Sequence, residues 1–158
     1  MTVTTAVRER LADLYAAYAN CLDDGRFGEW PEFFTEDAWY RIVPRENYDQ
    51  GLPLSTLSLK GKAMMKDRIY GIESTIFHAP YYQRHILGPL QISADADGGF
   101  DVRCNFLVVR TKRDMMAEIF SVGYYLDKVK MDEISISFTS KICVFDNDLI
   151  PNSLIYPI

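Results

Sequence analysis

Three long alternating runs in the second half of the chain constrain its fold more than any other feature. Phe100, Val102, Cys104, Phe106 and Val108 alternate with Asp101, Arg103 and Asn105. Met116, Glu118, Phe120, Val122 and Tyr124 make a second series, and Ile134, Ile136, Phe138, Ser140, Ile142 and Val144 a third. A period of two marks strands with one face on a core. Asp97-Gly98 before the first run, and Thr111–Asp114 and Lys130–Glu133 between the runs, are all compatible with hairpin turns. Strands longer than the usual length of about five or six residues must twist and coil. A coiled antiparallel sheet has a concave face that something else must cover.

The cover is encoded earlier in the chain. Leu11, Leu14, Tyr15, Tyr18, Cys21 and Leu22 recur at three- and four-residue steps, predicting an amphipathic helix over Thr5–Leu22. Asp23-Asp24-Gly25 stops it, since glycine takes the left-handed conformation that closes a helix. A helical turn over Glu29–Phe34 tolerates Pro31 in its first turn and offers Trp30, Phe33 and Phe34 as a core plug. Ala38–Val43 reads as a strand that Pro44 ends. Glu46–Ser58, with Gly51 and Pro53, reads as a long loop of the kind that often serves function or an interface. Lys60–Ile72 forms a second helix with Met64, Met65, Arg68 and Ile69 on neighbouring turns. His78–Tyr82 turns at Pro80, and Gln83–Ile92 is extended, interrupted at Gly88-Pro89. Helices closing a curved sheet define an α+β cone. One domain over residues 1–158 is expected, large enough to bury roughly 70% of its unfolded surface.

The net charge of −5 disfavours nucleic acid and anionic membranes as partners. No apolar run approaches the ~18 residues that span a bilayer, and the N-terminus lacks the apolar core of a signal peptide. Cys21, Cys104 and Cys143 are scattered in apolar stretches and read as buried free thiols. Lys60, Lys62, Lys66, Arg68, Arg110, Lys112 and Arg113 are interleaved with acids and read as solvated faces. Phosphate-cradling, dinucleotide-binding and nucleophile-elbow motifs are missing.

Pro44–Gly88 gathers Arg45, Glu46, Tyr70, Tyr81, Tyr82, Arg84 and His85. Planar charge and flat rings suit a desolvated protein contact. The ordered series PREN, QGLPL, KAM, DR, YG, PYYQRHI and the closing IPNS and IYPI, within Leu11–Ile158, resembles the small (beta) subunits of Rieske-type aromatic-ring hydroxylases. The resemblance implies the nuclear-transport-factor-2-like (cystatin-like) fold, with N-terminal helices on a long, strongly curved, mostly antiparallel sheet. It implies a structural subunit without catalytic residues, whose large (alpha) partner carries the Rieske [2Fe-2S] cluster and a mononuclear Fe(II). The implied assembly has three large and three small subunits, so this chain would also meet copies of itself in a trimer. Electrons would come from NAD(P)H through a reductase and usually a ferredoxin. The substrate would be a hydroxylated or carboxylated benzene ring, with salicylate converted to gentisate by O2 as the nearest analogue. With neither a signal-peptide core nor a bilayer-spanning run, a cytoplasmic location is expected.

The ligand inventory agrees with an accessory role. A Rieske cluster needs paired Cys-x-His ligands, and neither of the two histidines lies within two residues of a cysteine. A mononuclear site would need His78 and His85 to converge with Asp23 or Asp24, yet seven residues of extended chain tend to put the two rings on opposite faces. A rival reading is a stand-alone cone-fold isomerase, dehydratase or small-ligand binder, using Asp23 or Asp24, Tyr40 and His85 as an acid–base set. Expected interface residues are Arg45, Glu46, Tyr81, Tyr82, Arg84 and His85, with Leu154, Ile155, Tyr156 and Ile158 from the apolar stretch Leu149–Ile158. That stretch would be costly in water. It either folds back on its own cone or inserts between subunits, or does both.

Overall fold

The computed structural model describes residues 2–150 and 153–158; Pro151 and Asn152, part of the closing motif, lie outside the described residues. Helix α1 runs Thr5–Asp23, opened by Thr4, whose hydroxyl accepts from Val7 N–H at 3.3 Å. Gly25, at φ +70°, turns the chain where the sequence predicts a stop. A 3-10 turn over Phe27–Phe33 leads into β1, Phe34–Pro44. The expected long loop is partly ordered: α2 spans Arg45–Asp49 and β2 spans Leu57–Lys60. Helix α3, Lys62–Tyr70, ends in a wider turn over Gly71–Thr75. Then come β3 (Tyr81–Leu87), β4 (Gln91–Ala94), β5 (Phe100–Lys112), β6 (Glu118–Met131) and β7 (Ile136–Phe145).

The strands form one sheet in the order β2-β1-β7-β6-β5-β3, with β4 also paired to β5. Every pairing is antiparallel except β1 with β7. The expected cone is therefore present. Leu11, Tyr15 and Tyr18 of α1 pack with Trp30, Phe34, Tyr40, Phe106, Tyr125 and Phe138 in one continuous core.

Two bulges change which side chains enter that core. The register shifts between Val108 and Val109 opposite β6, and between Lys128 and Val129 opposite β7. An extra residue on one strand reverses which residues face inward beyond it. On β7, Ile136 and Phe138 precede the reversal, and Lys141, Cys143 and Phe145 share the inward phase after it, with Val144 buried as well. The sequence-based phase, which put Ser140, Ile142 and Val144 on the face of Phe138, is corrected accordingly: Ser140 and Ile142 are only half-buried. On β6, Tyr125, Asp127, Val129 and Met131 are buried, a stretch beyond the run read from the sequence. Gly123 leaves no room for a side chain where β6 meets β7, since a Cβ there would lie 1.9 Å from the Val144 oxygen.

Candidate functional site

Strand β3 is a sheet edge, and its alternation divides the Tyr81–His85 run between two sides. Gln83 and His85 are buried, while Tyr82 and Arg84 are exposed. His85 therefore does not belong to the outer surface and is corrected as an interface residue. Its ring Nδ1 lies 2.6 Å from Asp23 Oδ1, and its backbone N–H donates to the same carboxylate. Arg84 reaches Asp23 from outside at 3.8 Å with 63% of its side chain exposed. Tyr81 is half-buried, its ring centroid 4.3 Å from that of Tyr156, and burial pushes its phenol up to about 12.

Arg45 and Glu46 lie elsewhere. Arg45 starts α2, pairs with Asp146 at 3.1 Å and with Asp49 at 3.6 Å, and sits 5.8 Å from the Tyr124 ring centroid. Arg103, one of the polar residues alternating along the first run, approaches that ring at 4.0 Å. Glu46 is exposed and accepts from Gln50. Between β1 and β3 lie β7, β6 and β5. At about 4.8 Å per strand spacing, that separation is on the order of 20 Å. The two groups are distinct patches of one surface. Between them, Ile86, Leu107 and Val122 are direct cross-strand neighbours, and Arg84, Val109 and Ile119 form the next row. Ile86, Ile119 and Val122 are exposed, making an apolar stripe beside Arg84.

Charged residues also enter the protein. The Lys141 ammonium lies 2.8 Å from Asp127 Oδ2, with both side chains 0% exposed. Tyr15 donates to the same carboxylate oxygen. The rings of Tyr125, Tyr18, Phe138 and Tyr15 surround the ammonium, Tyr125 most closely at 3.6 Å from its centroid. Burial pushes the Asp127 carboxyl above its usual range, against the pull of Lys141. Burial also raises Tyr15, Tyr18, Tyr40 and Tyr125 well above the ordinary phenol value. Two residues expected on solvated faces are likewise buried. Lys62 is 3.1 Å from Glu32, and Arg110 is 2.6 Å from Glu118 and 4.5 Å from the Phe120 ring centroid.

The C-terminal stretch folds into its own cone. Ile155, Tyr156 and Ile158 are buried within this chain, so these three are corrected as surfaces offered to another subunit, while Leu154 is half-buried. Their burial is already supplied by this chain. The Ile158 backbone oxygen accepts from the Tyr18 and Tyr40 hydroxyls, each at 2.8 Å. Tyr156 donates or accepts at 2.9 Å with His78 Nε2, and its ring packs 4.6 Å from Phe27.

Of the rival acid–base set, the fold joins Asp23 to His85 but engages the Tyr40 hydroxyl with Ile158. Asp24 pairs with Arg26 at 3.5 Å on the surface. The recess at this edge, about 160 Å³, is lined by Asp23, Asp24, Tyr81, Tyr82, Gln83 and Tyr156, without Tyr40 or His85. His78 is held by Ile76 O and Tyr156, and among the described residues no three potential ligands group together. The thiols do not fit an iron–sulfur cluster, which needs thiolates. Burial raises all three, Cys143 to about 12, and each faces a backbone oxygen.

An α+β cone with its interior filled by its own C-terminal segment, and with an arginine-bearing apolar outer face, is the class of protein this geometry defines. The profile of the family described as "Ring hydroxylating beta subunit" matches residues 17–152, and the chain belongs to that family. It is 32% identical over 141 residues to the anthranilate 1,2-dioxygenase small subunit of Burkholderia cepacia, covering 89% of this chain and 88% of that one. It is 28% identical to the subunit beta 2 of the terminal oxygenase component of terephthalate 1,2-dioxygenase from a Comamonas species, covering 94% and 97%. The crystal structure of the beta subunit of a candidate aromatic-ring-hydroxylating dioxygenase from Novosphingobium aromaticivorans superposes with a TM-score of 0.88. That chain is 28% identical, with 97% of each chain covered.

Proposed function

We propose that this chain, as one domain over residues 1–158, is the structural subunit of an aromatic-ring-hydroxylating oxygenase and binds a large catalytic subunit that carries the Rieske cluster and the iron. The observation that carries this reading is the family match over residues 17–152, joined to an interior committed to internal contacts. A rigid cone has little chemistry to offer but can fix the relative positions of other subunits. Three small and three large subunits would place one subunit's cluster beside the next subunit's iron, fed from NAD(P)H through a reductase and a ferredoxin, in the cytoplasm.

The proposed reaction is that of salicylate 5-hydroxylase, salicylate to gentisate with O2. Its support is the PREN, QGLPL and PYYQRHI series, together with relatives named for anthranilate and terephthalate, which are also benzene carboxylates. On the surface, Arg45, Glu46, Tyr82 and Arg84 remain the proposed contacts, now with Ile86, Arg103 and Ile119. Arg84 suits a charge-assisted bond to a partner carboxylate or carbonyl.

The test is co-expression with the gene of a candidate large subunit and tagged purification of this chain. An iron-containing larger protein should co-elute, and the complex should turn over salicylate. Arg84→Ala should weaken assembly by ~2 kcal/mol or more. A chain that stays alone beside every such partner refutes the subunit role, whereas a complex that acts on another benzene carboxylate refutes only the substrate.

A further inference from the structure

Residues 154–158 are held the way a pocket holds a separate molecule. Arg68 donates to the Leu154 and Ile155 oxygens at 2.9 and 2.8 Å. Gln83 donates to the Pro157 oxygen at 3.3 Å, and Tyr156 N–H donates to the Tyr81 hydroxyl at 3.4 Å. Ile158 N–H donates to Tyr40 at 2.9 Å, and two phenols, Tyr18 and Tyr40, converge on the Ile158 oxygen. The bonds come from side chains of α3, β3, β1 and α1, not from a neighbouring strand. At the bottom, the Ile158 side chain is 0% exposed.

The surrounding interior is aromatic and carries a spare donor. Trp30 and Phe34 pack edge-on around the Tyr40 ring at 5.0 and 6.0 Å, and Phe138 is 5.6 Å from Tyr18. The buried Tyr125 hydroxyl has no hydrogen-bond partner among the described residues. An unpartnered buried donor costs free energy that a suitable acceptor would recover. The Lys141 ammonium beside these rings is paired with Asp127 at 2.8 Å.

We propose that the cone interior is a latent binding site for a small aromatic carboxylate, occupied in this state by the chain's own segment Leu154–Ile158. Ligand entry requires the segment to withdraw, with a carboxylate oxygen taking the place of the Ile158 oxygen between Tyr18 and Tyr40. A flat ring then lies where the Ile158 side chain was. Apolar walls with a few convergent donors are what such a ligand needs. The inference concerns the interior, and it can fail while the subunit role, carried by the family match, stands.

Benzoate is the probe, on the full chain. In the unaltered protein, amide hydrogen exchange at Tyr156 and Ile158 should be faster than at Tyr125 and Val108, because the segment opens without global unfolding. Ile158→Ala keeps the backbone bonds but weakens the plug, so the competing ligand gains what the plug loses. Benzoate measured by calorimetry should bind this variant at least about tenfold more tightly than the unaltered chain. Adding Tyr18→Phe and Tyr40→Phe should abolish that gain. Equal affinities, no binding to a folded Ile158→Ala chain, or binding that survives loss of both phenols would overturn the proposal. So would a Tyr156 amide exchanging only with the core, or a variant that loses its circular dichroism, since a plug that can withdraw must be able to leave the rest of the fold standing.

Discussion

Replacing Lys141 by Met should destabilise the protein far more than its position between exposed-looking residues suggests. Met keeps most of the volume and removes the ammonium, leaving the Asp127 carboxylate fully buried with Tyr15 as its main donor. Breaking a buried ion pair from one side costs about 3–5 kcal/mol. The lost contact with Tyr125, 3.6 Å from the ammonium, places the expected cost toward the upper part of that range. At roughly 2–4 °C per kcal/mol for a chain of this size, the melting temperature should fall by roughly 6–20 °C.

The pH dependence supplies a second measure. Asp127 already has a raised folded pKa because of burial, and losing Lys141 removes what pulls it down. A carboxyl whose folded pKa exceeds its unfolded value of about 4 is least costly below that value. Its cost then grows as pH rises toward the folded pKa. The gap between Lys141→Met and the unaltered chain should therefore be smallest near about pH 4 and widen toward about pH 8. Urea denaturation followed by circular dichroism at both pH values measures it. Replacing all three partners, with Tyr15→Phe, Asp127→Leu and Lys141→Met, should recover most of the loss, because a packed apolar cluster carries no desolvated charge. A cost for Lys141→Met below about 1 kcal/mol, unchanged with pH, would refute the claim that the pair is a desolvated ion pair.

Three further outcomes follow from particular residues. Gly123→Ala should cost about 3 kcal/mol or more in chemical denaturation, since its Cβ would collide with the Val144 oxygen and strands β6 and β7 cannot separate locally. The three thiols should react with a disulfide reagent at pH 8 only as fast as the protein opens, with Cys143, raised to about 12, the slowest by mass-spectrometric mapping. Asp132 caps the β6–β7 hairpin by accepting from Ile134 and Ser135, which lowers its carboxyl to about 2. Its contribution is complete above the unfolded pKa of about 4 and is lost as pH falls toward about 2, so Asp132→Ala should flatten the acid limb of a stability profile in that window.

The sequence makes the elements legible where the signal is local. Helix α1 follows from the three- and four-residue spacing of Leu11 to Leu22 and ends at the glycine turn. The long strands follow from alternation. What alternation cannot reveal is a single extra residue that reverses the phase within a strand. Both bulges fall inside runs that look uniformly periodic, so continuing the even-numbered phase would put Lys141 and Asp127 outward when they are inward. A carboxylate that directly follows an apolar stretch, as Asp127 follows Gly123-Tyr124-Tyr125-Leu126, is the available clue, and a cation elsewhere in the sheet is its necessary complement. Lys62 and Arg110 escaped for a related reason: each is buried by its stem and partnered by a glutamate from another element or across a turn.

The destination of the C-terminal segment is a longer-range problem. Its apolar content demands burial but does not name the partner, so its own cone and a second subunit are equivalent from the sequence. The choice is made by Tyr18 and Tyr40, 140 and 118 residues away from Ile158, whose hydroxyls match one backbone oxygen. Once that match uses the interior, the outward members of the aromatic and arginine-rich region acquire a different weight from the inward ones. His85 and Tyr81 support the edge strand from beneath, and Arg84, Tyr82 and Ile86 project from the same strand into solvent. Asp23 takes the His85 ring and backbone N–H from within and stands 3.8 Å from the Arg84 guanidinium outside, so one carboxylate at the end of α1 meets both sides of β3.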